Sequence, residues 1–315
     1  MLKDKTIAVV MPAYNEEKLV QKAIDSVPSF VDRIIVIDDC SKDQTWRKIL
    51  ESQAKSDRLL PLRHDKNRGV GAAIATGYRW CRDHGMDVAV VMAGDAQMDP
   101  ADLPRLLAPV LEDRADYSKG NRLFTGEAYK VIPRVRYFGN AALSLLTKVA
   151  SGYWHVADSQ SGYTAISKKA LHAVDWDRMY KRYGQPNDLL VRLNVENMRV
   201  ADIPVRPVYN IGEESGIRLH RILITLPCLL LRMFLWRLKE KYVIRDFHPL
   251  VFFYLLAFLL LFLCLPLTAR LYVTFLHFGE LPKVNLLAIM FCGIMGLQSL
   301  FFAMLFDMES NKDLR

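Results

Sequence analysis

Two long apolar runs near the carboxyl end set the hardest limit on how this chain can fold. Residues 247–269 ("FHPLVFFYLLAFLLLFLCLPLTA") carry no formal charge apart from His248, and residues 284–306 carry none. As a helix, either run reaches about 34 Å, enough for about 30 Å of hydrocarbon. A pair of buried soluble helices is the competing arrangement. Two such runs joined by the short "TFLHFGELPK" are predicted to be a two-helix transmembrane hairpin. Formal net charge is +8, which raises nucleic acid as a partner, but the placement of the charge points elsewhere. Arg232, Arg237, Lys239, Lys241 and Arg245 crowd the approach to the first run, and Lys312 and Arg315 follow the second. Between the runs stand only Lys283 and, at the border, Arg270. The positive-inside rule then predicts that the region before the hairpin and the C-terminus both face the cytoplasm. A basic collar of this kind attracts anionic headgroups. The expectation is a multi-pass membrane protein with two spans and no nucleic-acid partner.

The start, "MLKDKTIAVVMP", passes straight into a strand pattern, so no signal peptide is expected. Five cysteines show no CxxC pairing, and seven histidines show no metal-ligand spacing, which argues against a disulfide framework or a zinc site.

Ahead of the hairpin, strand and helix signals alternate. "TIAVVMP", "RIIVIDD", "LLPLRH" and "DVAVVMAGD" read as strands. "EEKLVQKAIDSV", "SKDQTWRKILESQA", "GVGAAIATGYRWCRDHG" and "PADLPRLLAPVLED" read as helices, the second opening with Ser41 and Gln44 at capping-box spacing. Such alternation predicts an α/β fold with a Rossmann-like, mostly parallel sheet, whose ligands gather beyond the strand carboxyl ends. Farther on, "VRYFGNAALSLLTKVASG" and "NDLLVRLNVENM" read as helices, "SGYTAISKKAL" as a strand entering a helix, and "RVADIPVRPVY" as extended. The stretch "IRLHRILITLPCLLLRMFLWRLKEKY" is apolar but too charged to span. Arg218, Thr225, Arg232 and Lys239 recur every seven residues along it, which predicts interfacial amphipathic helices, with a core-packing helix as the alternative. The expected organisation is a domain over residues 1–212, juxtamembrane helices over 213–246, and the hairpin with a short tail over 247–315.

Acids and amides sit where the sheet rule puts chemistry. Asp38 and Asp39 end one strand and Asp95 another, with Ala96 and Gln97 following. Asp99 precedes Pro100 and reads as a helix cap. Asp95 and Gln97 together offer oxygens for Mg2+ or Mn2+ held against a diphosphate. Pro12, Ala13, Tyr14 and Glu16 form a strand-to-helix turn that suits either a nucleoside contact or a plain helix start. Gly69 and Gly71 begin a dinucleotide fingerprint, but its third glycine position holds Ile74, so a dehydrogenase is disfavoured; Asn67 and Gly69 remain candidates to border a ligand.

Taken in order, "MPAYNEE", "IDDCSKDQT", "NRGVGAA", "AGDAQMDP", "GNR" and "DSQSGYTAISKKAL" resemble glycosyltransferase family 2, over roughly residues 5–220, and within it the polyprenyl-phosphate branch that includes dolichyl-phosphate mannose synthases. The resemblance implies a GT-A fold, a nucleotide-sugar donor, a divalent metal and an inverting transfer to a polyprenyl phosphate. It places Pro12, Ala13, Tyr14, Glu16, and Asp38 or Asp39 at the nucleoside. Asp95 and Gln97 match a D-x-D-x-Q metal motif whose earlier acid falls on Ala93. Arg122, with Arg134 or Arg136, matches arginines that clasp the acceptor phosphate, and Ser161 and Gly162 match a Ser-Gly beside it. Ser215 and Arg218 match a segment that reaches the donor phosphates. Asp188 matches the base position of relatives with hydroxyl acceptors. A lipid phosphate is already anionic and needs no strong base. The rivals are a processive polysaccharide synthase, which would need a Q-x-x-R-W motif not found here, and a catalytically weakened nucleotide-sugar-binding or synthase-associated protein, suggested by Ala93. Homo-oligomerisation is left open.

Overall fold

The computed structural model describes residues 2–124, 134–208 and 219–315; the side chains of residues 134–138, 140 and 219–224 are outside that description. The chain divides into two compact units, one of Met1–Phe234 with Asp313–Arg315, the other of Leu235–Lys312.

In the first unit, β1 (Ile7–Ala13), β2 (Arg33–Asp38), β3 (Leu59–Arg63) and β4 (Val88–Val91) are joined through α1 (Val20–Asp25), α2 (Thr45–Gln53) and α3 (Val70–Asp83). These four strands lie parallel in the order β3-β2-β1-β4, with Ala13 level with Asp38 and Val10 level with Val91. After α4 (Leu103–Leu111) come β5 (Tyr117–Asn121), α5 (Arg134–Ser151), β6 (Thr164–Ser167), α6 (Lys168–Ala173), α7 (Gln185–Val195) and β7 (Val200–Pro204). They complete a seven-stranded sheet, β3-β2-β1-β4-β6-β5-β7, in which only β6 runs against its neighbours.

All of β1 is buried, as expected for a strand covered on both faces. Its odd-numbered residues Ile7, Val9 and Met11 pack into one core with Ile34 and Val36, beneath α1 and α4. Its even-numbered Ala8 and Val10 join Ile35 and Ile37 in a second core with α3, α6 and α7. α3 lies close on the sheet because its facing positions are small: a Cβ on Gly77 would stand 2.3 Å from a Val10 methyl.

Two local expectations change. Ser41 does not cap α2; its hydroxyl accepts from Asn15 N at 2.9 Å, and Asp43 instead accepts from Thr45 N at 3.0 Å. A hydroxyl reached by a neighbouring loop is no longer available to its own helix. The strand β5, "YSKGN", has no apolar alternation and is invisible to periodicity, yet every residue in it is buried.

The second unit holds α9 (Leu250–Phe278) and α10 (Lys283–Ser310), two helices long and apolar enough to cross a membrane. Both outrun the apolar stretches that announce them. A charge such as Arg270 ends a hydrophobic run without ending a helix; α9 stops at Gly279, whose φ of 67° is the left-handed cap that glycine adopts freely. Gly296 on α10 packs against Leu261, and Asn285 Nδ2 donates to Leu267 O at 2.8 Å. α8 (Leu219–Lys239) keeps Pro227 inside one helix and runs into a π-helical turn at Glu240–Arg245. Along α8, Leu226, Leu230, Met233 and Phe234 are buried, whereas Thr225, Leu231, Arg232, Leu235 and Lys239 are exposed. Thr225, Arg232 and Lys239, seven apart, are thus all exposed, as are Leu231 and Leu235, while Arg237 is buried.

Within the second unit Arg237 and Asp307, both at 0% exposure, form a two-pronged ion pair of 2.8 and 3.0 Å. Tyr242 donates its hydroxyl to Asp307 at 2.7 Å, and Lys241 Nζ donates to Asn311 Oδ1 at 2.9 Å. Removing one partner leaves the other charge buried, so Asp307→Ala should lower stability by ~3–5 kcal/mol. The double variant Asp307→Ala/Arg237→Met should recover much of that loss when thermal unfolding is followed in detergent. Gly77→Ala should cost ~1–3 kcal/mol through overpacking against Val10, read by the same melts.

Candidate active site

Because β1, β2 and β4 run parallel, their carboxyl ends open at one edge of the sheet. Gly94 N donates to Pro12 O at 3.0 Å, so the exits of β1 and β4 lie side by side; a Cβ on Gly94 would be 3.2 Å from that of Ala13. Each exit contains one non-glycine residue with positive φ: Asn15 at 56°, Cys40 at 63° and Ala96 at 55°. Left-handed backbone at such residues is uncommon and clusters where a chain must turn sharply at a site. The turn at Ala96 lets Asp95 Oδ1 accept from Gln97 N at 3.0 Å, which fixes the half-buried carboxylate. Asp99 caps the next turn by accepting from Ala101 N at 2.9 Å, with Pro100 in the first helical position.

The β1 and β2 exits interlock. Glu16 N donates to Thr45 Oγ1 at 2.7 Å and Glu17 N to Asp43 Oδ2 at 3.1 Å. Tyr14 stands exposed, with Glu16 half-buried beside it. Asp38 and Asp39 behave differently from the expectation of a nucleoside contact. Asp38 has no exposed surface and takes Arg63 Nε at 3.0 Å and Ser41 N at 3.2 Å. Asp39 takes Arg68 N at 2.9 Å, Gly69 N at 2.7 Å and His64 Nδ1 at 2.7 Å. Carboxylates so enclosed cannot touch a ligand in this conformation; they hold the loop of residues 64–69 in place.

Asn67 is exposed on that loop, but Gly69 serves packing. A Cβ there would stand 2.4 Å from Lys181 O, and one on Gly71 would stand 2.3 Å from Tyr180 O. The two glycines admit the segment before α7, whose Lys181 O accepts from Ala72 N at 3.2 Å. The same segment carries Tyr183, a residue that sequence reasoning missed. Its half-exposed phenol is raised above its usual range, first by burial and then by the charges of Glu16 and Asp95, so it belongs with those acids.

On the other side of β4, the antiparallel pairing of β5 with β6 brings "GNR" against the loop before β6. Arg122 Nε donates to Asp158 Oδ2 at 2.7 Å and Nη2 to Oδ1 at 3.2 Å. Ser161 is buried and its carbonyl accepts from the buried ammonium of Lys119; Gly162, beside it, is half-buried. Arg122, Ser161 and Gly162 therefore share one wall.

The family model for glycosyl transferase family 2 matches residues 8–175, from β1 to the end of β6 and beyond. The chain belongs to glycosyltransferase family 2. It is 32% identical to a UDP-N-acetylglucosamine–dolichyl-phosphate N-acetylglucosaminyltransferase of Methanococcus voltae, over 65% of this chain and 87% of that protein. It is 30% identical to an undecaprenyl-phosphate mannosyltransferase of Micrococcus luteus, over 63% and 82%. Among solved structures it resembles glucosyl-3-phosphoglycerate synthase from Mycobacterium tuberculosis in complex with Mn2+ and UDP, at a TM-score of 0.54 and 23% identity, covering 74% of this chain and 80% of that one. The fold of this glycosyltransferase is GT-A.

Asp188, which the resemblance matches to a base position, lies in the first turn of α7 with 1% exposure, accepting from Tyr180 N at 2.7 Å and Arg192 Nε at 3.1 Å. Burial raises its carboxyl above the usual range despite Arg192. It braces the segment of residues 180–188 and offers no open oxygen to a substrate. Arg134 and Arg136 begin α5, with side chains outside the description, and Ser215 and Arg218 lie outside the described residues. Among the described residues, no three His, Cys, Asp or Glu side chains gather to hold a metal by themselves.

Burial pushes the Lys119 ammonium from 10.5 down to about 8, with Asp158 opposing that shift. The unfolded chain keeps this proton up to 10.5, so between pH 8 and 10.5 it binds more protons than the native state. Stability from this group therefore rises with pH across that window. Thermal midpoints of wild type and Lys119→Met, measured from pH 7 to 10, should diverge in favour of wild type above pH 8.

Proposed function

We propose that this glycosyltransferase moves one sugar from a UDP- or GDP-sugar to a polyprenyl phosphate, dolichyl or undecaprenyl, with inversion at the cytoplasmic face of a membrane. The observation that carries the reading is the coexistence, in one family 2 chain, of relatives named for polyprenyl-phosphate acceptors and two helices able to cross a bilayer. Residues 1–212 are the catalytic domain, 213–246 the juxtamembrane helices and 247–315 the membrane anchor with its tail. The collar of Arg and Lys before the first span supports the cytoplasmic orientation.

The donor lies across the exits of β1 and β4, against Pro12, Ala13, Tyr14 and Glu16, with Asp38 and Asp39 bracing the adjoining loop. Ser215 and Arg218 reach its phosphates. A hard divalent cation usually keeps several waters and takes one or two carboxylates plus substrate phosphates. The single fixed carboxylate of Asp95, with Gln97 two residues on, fits an ion that arrives with a diphosphate. Mg2+ or Mn2+ held there would neutralise the charge of the departing diphosphate.

Arg122, with Arg134 or Arg136, grips the acceptor phosphate beside Ser161 and Gly162. Guanidinium forks suit a phosphate monoester. An oxygen of that phosphate attacks the anomeric carbon, and the bond from carbon to the donor diphosphate breaks with its electron pair on the nucleoside diphosphate. The attacking oxygen is already ionised at neutral pH, so no side chain has to remove a proton, which agrees with an Asp188 enclosed by its own neighbours.

Full-length enzyme in detergent, given a panel of radiolabelled UDP- and GDP-sugars, should form lipid-extractable product only when a polyprenyl phosphate is present. Transfer that ignores the lipid, or none with any donor, would refute the reading. Asp95→Asn keeps the shape of the side chain but loses its charge, so its nucleotide binding should no longer respond to Mg2+ or Mn2+. An equal metal response in wild type and variant would remove Asp95 from the donor site. A reporter fused after Arg315 should be active on the cytoplasmic side.

A further inference from the structure

Asp158 has no role in the reaction described above, yet it is the most enclosed acid on the acceptor wall. Its side chain has 0% exposure, while that of Arg122 has 26%. Beyond the two side-chain bonds, it accepts from Arg122 N at 3.2 Å and Gln160 N at 3.2 Å. A guanidinium held along its Nε and Nη2 edge has a fixed plane, with Nη1 turned away from the holding carboxylate.

The loop that carries Asp158 is itself tied on several sides. Ser159 N donates to Ser144 Oγ at 3.2 Å, Gln160 Nε2 donates to Asn187 Oδ1 at 3.1 Å, and Lys119 holds the Ser161 carbonyl. Burial would raise the Asp158 carboxyl, but Arg122 and Lys119 hold it below its usual range, so it remains an acceptor on both oxygens. A flexible arginine loses rotamer freedom when it grips a ligand; one already locked loses less.

We propose that Asp158 is a positioning residue for transfer, fixing the Arg122 guanidinium so that its outer edge meets the phosphate monoester of the acceptor. The inference rests on the reading of Arg122 as an acceptor contact. A purely structural ion pair would hold the fold together without affecting one substrate more than the other.

The test is a double-mutant cycle on the full-length enzyme with Asp158→Asn, Arg122→Ala and the pair, measuring KM for polyprenyl phosphate at saturating donor and Kd for the nucleoside diphosphate. Asp158→Asn should raise the acceptor KM about tenfold or more and leave nucleotide binding unchanged. In the Arg122→Ala background it should add nothing, because the two residues act as one. Arg122→Lys keeps the charge but lacks the fork, and it should also raise the acceptor KM, which covers the case of an Asp158→Asn protein that does not fold. An unmoved acceptor KM in Asp158→Asn or Arg122→Lys, or additive effects in the cycle, overturns the proposal. Wild type that transfers nothing to any polyprenyl phosphate overturns the functional reading and this inference together. Normal transfer with an unmoved acceptor KM overturns this inference alone.

Discussion

Parallel strands can be joined only by crossovers that return the chain to the same end of the sheet, so every strand in such a set exits at one edge. In this protein that geometric demand makes the exits of β1, β2 and β4 neighbours, although Tyr14, Asp39 and Asp95 are far apart in the chain. The carbonyl of Pro12 receives the amide of Gly94, the β1 and β2 turns share hydrogen bonds, and each of the three exits turns through one left-handed residue, Asn15, Cys40 or Ala96. The site is the place where the sheet runs out of strand-to-strand hydrogen bonds and its polar ends must find partners.

Buried carboxylates are managed in the same way in both units, by surrounding each with N–H or O–H donors. Asp39 accepts two backbone amides and an imidazole, Asp158 accepts one arginine edge, and Asp307 meets Arg237 with Tyr242 alongside. Such pairs contribute little net stability over an apolar core, because removing two ions from water costs nearly what their attraction returns. What they fix is geometry. A loop held by Asp39 or an arginine held by Asp158 has one arrangement, whereas an apolar contact would tolerate several.

The close approach between α3 and the segment before α7 shows how a motif can be legible and its purpose hidden. "NRGVGAA" is conspicuous in the sequence, and its glycines suggest a ligand cradle. The atoms that fill their missing side chains belong to the chain itself, at Tyr180 and Lys181. That contact carries Tyr183 toward Glu16 and Asp95, and no spacing rule connects residue 183 with residues 16 and 95.

From the order of its residues alone, the chain determined the alternating α/β domain, the two long apolar helices, the cap at Asp99 and the family. Each of these depends on local periodicity, a capping pattern or short motifs, and local interactions survive in any context. Tertiary structure alone decided that Asp38, Asp39 and Asp188 are enclosed braces, that "YSKGN" is a buried strand, and that Arg122 lies on Asp158. Those outcomes depend on which segments cross at hydrogen-bonding distance, and a carboxylate is open or occupied according to neighbours dozens of residues away.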